Sequence, residues 1–102
     1  MKRVFIFLLF GTAIFSGNID RETCTLNGKR LYGRVQVVSS MADFRVEVVN
    51  HIADLKVEKV SMAPNSCGQW EFVDILPDFT VEFAGAISDF KIEFVNMFPG
   101  VQ

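Results

Sequence analysis

The sequence predicts an all-β fold, a compact repeat of short strands and turns with an 11-residue period. Three observations predict it. From Gly33 the chain falls into in-phase blocks: GRVQVVSSMAD, FRVEVVNHIAD and LKVEKVSMAPN, then GQWEFVDILPD, FTVEFAGAISD and FKIEFVNMFPG. Within each block, positions one to five alternate apolar and polar, as in Phe44-Arg45-Val46-Glu47-Val48, the period-two signature of a half-buried strand. Positions seven to eleven hold turn chemistry, ending in segments such as "ILPD" and "MFPG" that stop strand pairing and reverse the chain. One block is therefore one strand plus one turn. Ser66 and Cys67 interrupt the phase once, between the third and fourth copies.

The N-terminus comes first. Lys2 and Arg3 precede an apolar run from Val4 to Phe15, which ends at the small residues Ser16 and Gly17. Residues 1–17 read as a secretory signal peptide, because the run is shorter than the ~20 residues of a membrane span. Residues 18–102 read as a single domain, exported to the periplasm or the extracellular space, with no membrane span once the leader is removed. From Asn18 onward eight Lys/Arg stand against twelve Asp/Glu, a net charge of −4, which excludes nucleic acid as an expected partner. A monomer is expected, and the residues name no partner.

Cys24 and Cys67 are the only cysteines, and an even count in an oxidising compartment favours a disulfide between them. Such a bond would close a loop of 43 residues. Two free thiols or half of a metal site are the alternatives, though two thiols and one His are thin for zinc. The segment "CTLNGKRLYGRV" places the turn pair Asn27-Gly28 between short runs and predicts a hairpin-like lead-in to the repeats.

Inside the blocks, position six breaks the alternation with Val38, Val49, Val60, Val73 and Val95. Either the chain bends there into a second layer, or both faces are covered near the corner. Position nine carries Met41, Ile52, Leu76, Ile87 and Phe98, which are expected to point inward and pin each turn. Position two reads Arg34, Arg45, Lys56, Gln69, Thr80, Lys91, and position four reads Gln36, Glu47, Glu58, Glu71, Glu82, Glu93. Parallel strands stacked in register would set Glu beside Glu, which destabilises. Antiparallel or offset neighbours would set Lys/Arg against Glu, and that is the expected arrangement. A small unknotted β-solenoid, a meander and a barrel all remain compatible with the period.

The recurring line F-K/R-V-E-V/F-V-N/D-x-F/I-P/A-D, with its Cys and Trp between the third and fourth copies, resembles the septoil-knot family of small exported bacterial proteins. The resemblance spans roughly residues 24–100. It implies an all-β fold threaded as a seven-crossing torus knot, with near-identical segments wound two abreast about one axis. It brings no catalytic or ligand-binding residues. The chain departs from the line at Gly33 and Gly68, where an aromatic first residue is missing, at Lys59 in an apolar fifth position, and at Ala84-Gly85.

Candidate chemistry is sparse. His51 is the only histidine and sits at a turn position that other blocks fill with Ser40, Met62, Ile75, Ala86 and Met97, so a solvent-exposed turn residue is expected. Asp43, Asp54, Asp78 and Asp89 close their turns at position eleven. A regular row of carboxylates could bind calcium, but a turn Asp bonding its own backbone explains the repetition without an ion. The Glu row at position four reads as a solvated strand face, and Trp70 at position three as a core residue. Lys59 either snorkels out beside Glu58 or marks a widened spot at the insertion. No catalytic, cofactor-binding or metal residues are assigned, and no cofactor is expected. The reading is a non-enzymatic structural or interaction protein. Its alternative is a binder of a small ligand, calcium or a cell-envelope glycan, through a charged strand face or the row of turns.

Overall fold

The computed structural model describes residues 19–102, so segment 1–17, expected to be a signal peptide, lies outside the described residues. The architecture is all-β. A hairpin of β1 (Thr25–Leu26) and β2 (Lys29–Arg30) turns through Asn27 and Gly28, both at positive φ, as the lead-in pattern requires. Six repeat strands follow: β3 (Gly33–Val37), β4 (Phe44–Val48), β5 (Leu55–Lys59), β6 (Gln69–Phe72), β7 (Phe79–Phe83) and β8 (Phe90–Val95). A short β9 (Gly100–Val101) pairs antiparallel with β5.

The six repeat strands form one closed parallel sheet in the order β6-β3-β7-β4-β8-β5, and β5 returns to β6. At every one of the six contacts the register is displaced by two residues, so position one faces position three of its neighbour. The expected offset is therefore present, in parallel strands rather than antiparallel ones. It sets Arg34 opposite Glu71, Arg45 opposite Glu82, Lys56 opposite Glu93, and Lys91 opposite Glu47. The other two contacts pair Gln36 with Thr80 and Gln69 with Glu58. No Glu faces Glu. None of the four opposite-charge register pairs is among the ion pairs of the described residues, so each adds at most about a few tenths of a kcal/mol, whereas the in-register alternative would set Glu beside Glu.

An equal stagger at each step makes adjacent strands equivalent by rotation about the barrel axis, so each repeat position forms a ring at one level. Positions one and three point inward. Val35, Val46, Val57, Trp70, Val81 and Ile92 form one fully buried ring, and Phe44, Leu55, Phe79 and Phe90 form the ring beside it. Edge-to-face contacts join Trp70, Phe79, Phe44 and Phe90 in a chain with centroids 5.5 to 5.8 Å apart. Such pairs add to burial alone.

Gly33 and Gly68 are the departures of this ring from its aromatic pattern, and close approach explains both. A Cβ on Gly33 would lie 2.5 Å from Asp78 Oδ2, and one on Gly68 would strike the Lys56 carbonyl and the Gly100 nitrogen. Both glycines also hold positive φ, which L side chains rarely adopt. Gly33 opens β3 and Gly68 immediately precedes the neighbouring β6, and both Trp70 and Leu31 are fully buried. The Trp70 indole donates to the Leu31 carbonyl at 3.0 Å, so its one polar atom is satisfied.

Candidate functional site

Apart from β5 and β6, repeat strands consecutive in the chain are not neighbours in the sheet. β7 lies between β3 and β4, β8 between β4 and β5, β3 between β6 and β7, and β4 between β7 and β8. Each link must cross the intervening strand. The inner face is filled by core side chains, so the link arches over the outside, which leaves positions two and four of the crossed strands half-buried at most sites.

Both feet of each arch are tied to the strand beneath. At the first foot, position six donates its N–H to a position-three carbonyl: Val38 to Val81, Val49 to Ile92, Val73 to Val35 and Ala84 to Val46, at 2.8 to 2.9 Å. This explains the broken alternation, since position six prolongs the strand and is half-buried as the chain leaves the barrel. At the second foot, the Asp of position eleven takes over. Its Oδ2 accepts a backbone N–H 2.8 Å away: Asp43 from Thr80, Asp54 from Lys91, Asp78 from Arg34 and Asp89 from Arg45. In three of these the Asp N–H also reaches the carbonyl of the same partner.

These carboxylates therefore clasp a foreign strand, 37 or 44 residues away, and do not bond their own turn as expected. The reason is topological. The arch must land beside a strand whose edge N–H would otherwise be unpaired, and a short carboxylate at the landing point fills it. No group of three or more His, Cys, Asp or Glu that could hold a metal occurs among the described residues.

His51 is exposed, with Nδ1 2.6 Å from Asn50 Oδ1. It borders an open depression of about 620 Å³ shared with Val48, Val49, Asn50, Ile52 and Lys91, in the arch that crosses β8. Trp70 is in the core, as its repeat position predicts. Cys24 and Cys67 form the disulfide, with Cα atoms 5.8 Å apart, and tie the lead-in to the insertion. Among the described residues no helix is long and apolar enough to cross a membrane.

Two features escaped the sequence reading. The first concerns position nine, which points outward. Met41 is 97% exposed and Ile52 86%, and Leu76, Ile87 and Phe98 are comparably bare. Met41, Ile52, Ala63, Leu76 and Phe98 all hold φ between 52° and 58°, the left-handed region. That conformation reverses the arch and swings the side chain away from the barrel, while the small residue at position ten, Ala53 or Pro77 for example, turns in. Met62, Ile75 and Met97 at position eight are also exposed, so six arches present an apolar girdle. The alternation of polar turn residues with one large apolar residue was legible; its direction was not.

The second feature is the barrel mouth. Position five faces the axis where the strands end, as a ring of Val37, Val48, Lys59, Phe72, Phe83 and Phe94. Five of these line an open depression of about 270 Å³. Lys59 does not pair with Glu58; its Nζ lies 4.9 Å from the Phe94 ring centroid.

Residues 28–102 match the family model described as the 7(1) septoil knot domain. The chain belongs to the septoil knot domain family. The matched span takes in all six repeat strands, β2 and β9, so the interleaved barrel is this chain's version of the septoil knot domain. No curated protein sequence matches the chain.

Proposed function

We propose that the protein is an exported, non-enzymatic structural or interaction module that docks through its girdle of turn tips. One observation carries the reading: large apolar side chains occupy exposed, left-handed positions in arch after arch. Such a backbone favours Gly or Asn, and each non-Gly residue held there costs roughly 1–2 kcal/mol. Leu76 and Phe98 also precede proline, which adds restriction. A turn needed only for the fold has no use for Ile or Phe at that site. Exposed apolar residues repeated around one level are the mark of a contact surface.

The repeat's charged groups support the same reading. The turn carboxylates are spent on strand N–H groups, and the strand-face charges face one another. Their engagement weighs against calcium or a catalytic dyad. None of the six arches contains Lys or Arg, whereas Asp43, Asp54, Asp74, Asp78 and Asp89 flank the tips. The complementary partner is a protein surface with apolar sockets bordered by cations. Export rests on the leader pattern and on the disulfide, which suits an oxidising compartment. The interleaved winding is read as the septoil path, and threading would slow unfolding and proteolysis outside the cell.

Photocrosslinking in the native host tests the docking surface. A benzophenone amino acid placed at Met41, Ile52 or Phe98 should yield a discrete protein adduct that is absent when the probe replaces exposed Glu22. Adducts indistinguishable from the Glu22 control would overturn the reading. So would sedimentation of the protein with phosphatidylcholine vesicles through the same tips.

A further inference from the structure

Lys59 is the single break in an otherwise apolar fifth position, and it opens onto the barrel mouth. Around the sheet it stands between Phe94 of β8 and Phe72 of β6, whose ring centroids are 6.4 Å apart. Val37 and Phe83 complete the lining, about half exposed, and Trp70 is fully buried two residues before Phe72. Trp70 meets the Phe72 ring edge-on at 5.9 Å. The Lys59 ammonium has no carboxylate within ion-pair distance among the described residues, whose two ion pairs are Lys29–Asp43 and Arg30–Asp78. Glu58, next in the chain, points to the outer face and accepts from Gln69 at 3.5 Å. Among the described residues the ammonium's partner is the face of an aromatic ring, a weaker contact than a carboxylate.

We propose that this mouth is a binding site for a small amphiphile with an apolar body and a single carboxylate, the body against Phe72, Phe83, Phe94 and Val37 and the carboxylate on Lys59. Three features select that chemistry. The lining is apolar but for one cation, so a neutral apolar molecule leaves the ammonium unpaired and a polyanion leaves its other charges unmatched. The depression of about 270 Å³ suits a ligand on the order of ten heavy atoms, smaller than the drug-sized occupants of ordinary pockets. From Asn18 onward the chain is net acidic, which disfavours a polyanion and leaves a single carboxylate as the anion the mouth best tolerates. This site is distinct from the girdle, where neither Lys nor Arg occurs in the arches.

Octanoate and the uncharged octanol are the probes, titrated below micelle formation against the full domain while methyl and ring NMR signals are followed. Octanoate should shift Val37, Phe72, Phe83 and Phe94 saturably, with a dissociation constant in the millimolar to sub-millimolar range expected of so small a ligand. Trp70 fluorescence should report the same saturation. Lys59→Met fills the position with the apolar type that other repeats carry, so it should fold; it should weaken octanoate about tenfold and leave octanol unchanged. Lys59→Arg should keep binding within about threefold. Equal octanoate affinity in wild type and Lys59→Met would overturn the proposal, as would shifts that begin at Met41, Ile52 and Leu76 on the girdle.

Discussion

Replacing Met41, Ile52, Leu76 and Phe98 together by Gly should stabilise the domain, although four large apolar residues are lost. Each holds φ between 52° and 58°, where an L side chain costs roughly 1–2 kcal/mol through its Cβ. The β-branched Ile52 stands at the upper end. Against this, glycine frees the unfolded backbone at a cost of about 0.5–1 kcal/mol. The burial forfeited is small: with Ile52 86% exposed, only ~20 Å² of apolar side chain leaves contact, about 0.5 kcal/mol. The balance is a gain of about 0.25 kcal/mol per site, and the sites lie in separate arches, so about 1 kcal/mol in total. For a domain of this size that is a rise in Tm on the order of 5 °C. Urea denaturation incubated to equilibrium, with a thermal scan beside it, measures the difference. Ile87 supplies the internal control. It occupies the same repeat position and is also largely exposed, yet it is not among the residues at positive φ. With no strain to relieve, Ile87→Gly should therefore destabilise by about 1–1.5 kcal/mol. A quadruple variant less stable than wild type, or an Ile87→Gly that gains as much as Ile52→Gly, would refute the strain reasoning and return the tips to a packing role.

Other substitutions follow from the clasps, the glycines and the disulfide. Asp89→Ala removes the acceptor of the Arg45 N–H and should cost about 1–2 kcal/mol in urea denaturation, with amide exchange at Arg45 accelerated ahead of its strand. Gly68→Ala forces a Cβ onto backbone atoms of Lys56 and Gly100 and should cost at least ~3 kcal/mol, more than Gly33→Ala, whose Cβ meets a side chain that can move. The double variant Cys24→Ser, Cys67→Ser opens a loop of 43 residues and should lose ~4 kcal/mol on the chain-entropy account, read as a lower urea midpoint.

Much of the barrel was legible because each repeat position has one environment. Positions one and three are buried around the whole ring, so Val46 or Phe79 could be assigned from periodicity alone. Trp70 inherited the core from its neighbours at position three, and the charge rows at positions two and four implied an offset. Strand direction was not legible, since an offset parallel pair and an antiparallel pair both bring Arg45 to a Glu. Nor was the landing of Asp78 or Asp89, whose partners lie 44 residues away. Position nine misled for a physical reason: apolar periodicity ordinarily reports burial, and at Met41 or Phe98 a left-handed backbone inverts the direction of the side chain. At the mouth, Lys59 was visible as an exception, but its place opposite Phe72 and Phe94 depends on which strands are neighbours.

The insertion of Ser66 and Cys67 decides that neighbourhood. Each 11-residue repeat carries the chain two places around a six-place ring, from β3 to β4 and from β4 to β5. A third step of two would return it to the place that β3 already fills. Even steps alone reach only three places, and a single odd step is needed to open the other three. The link from β5 to β6 is that odd step, moving one place, and it is the link with two extra residues. From β6 the even steps resume, and β7 and β8 enter the gaps left by the first winding. The features that guard this step cluster there: Gly68 passes against the Lys56 carbonyl, and Cys67 is bonded to Cys24. The phase break in the sequence is thus the residue-level cause of the interleaving, and through it of the clasps, the arches and the exposed tips they carry.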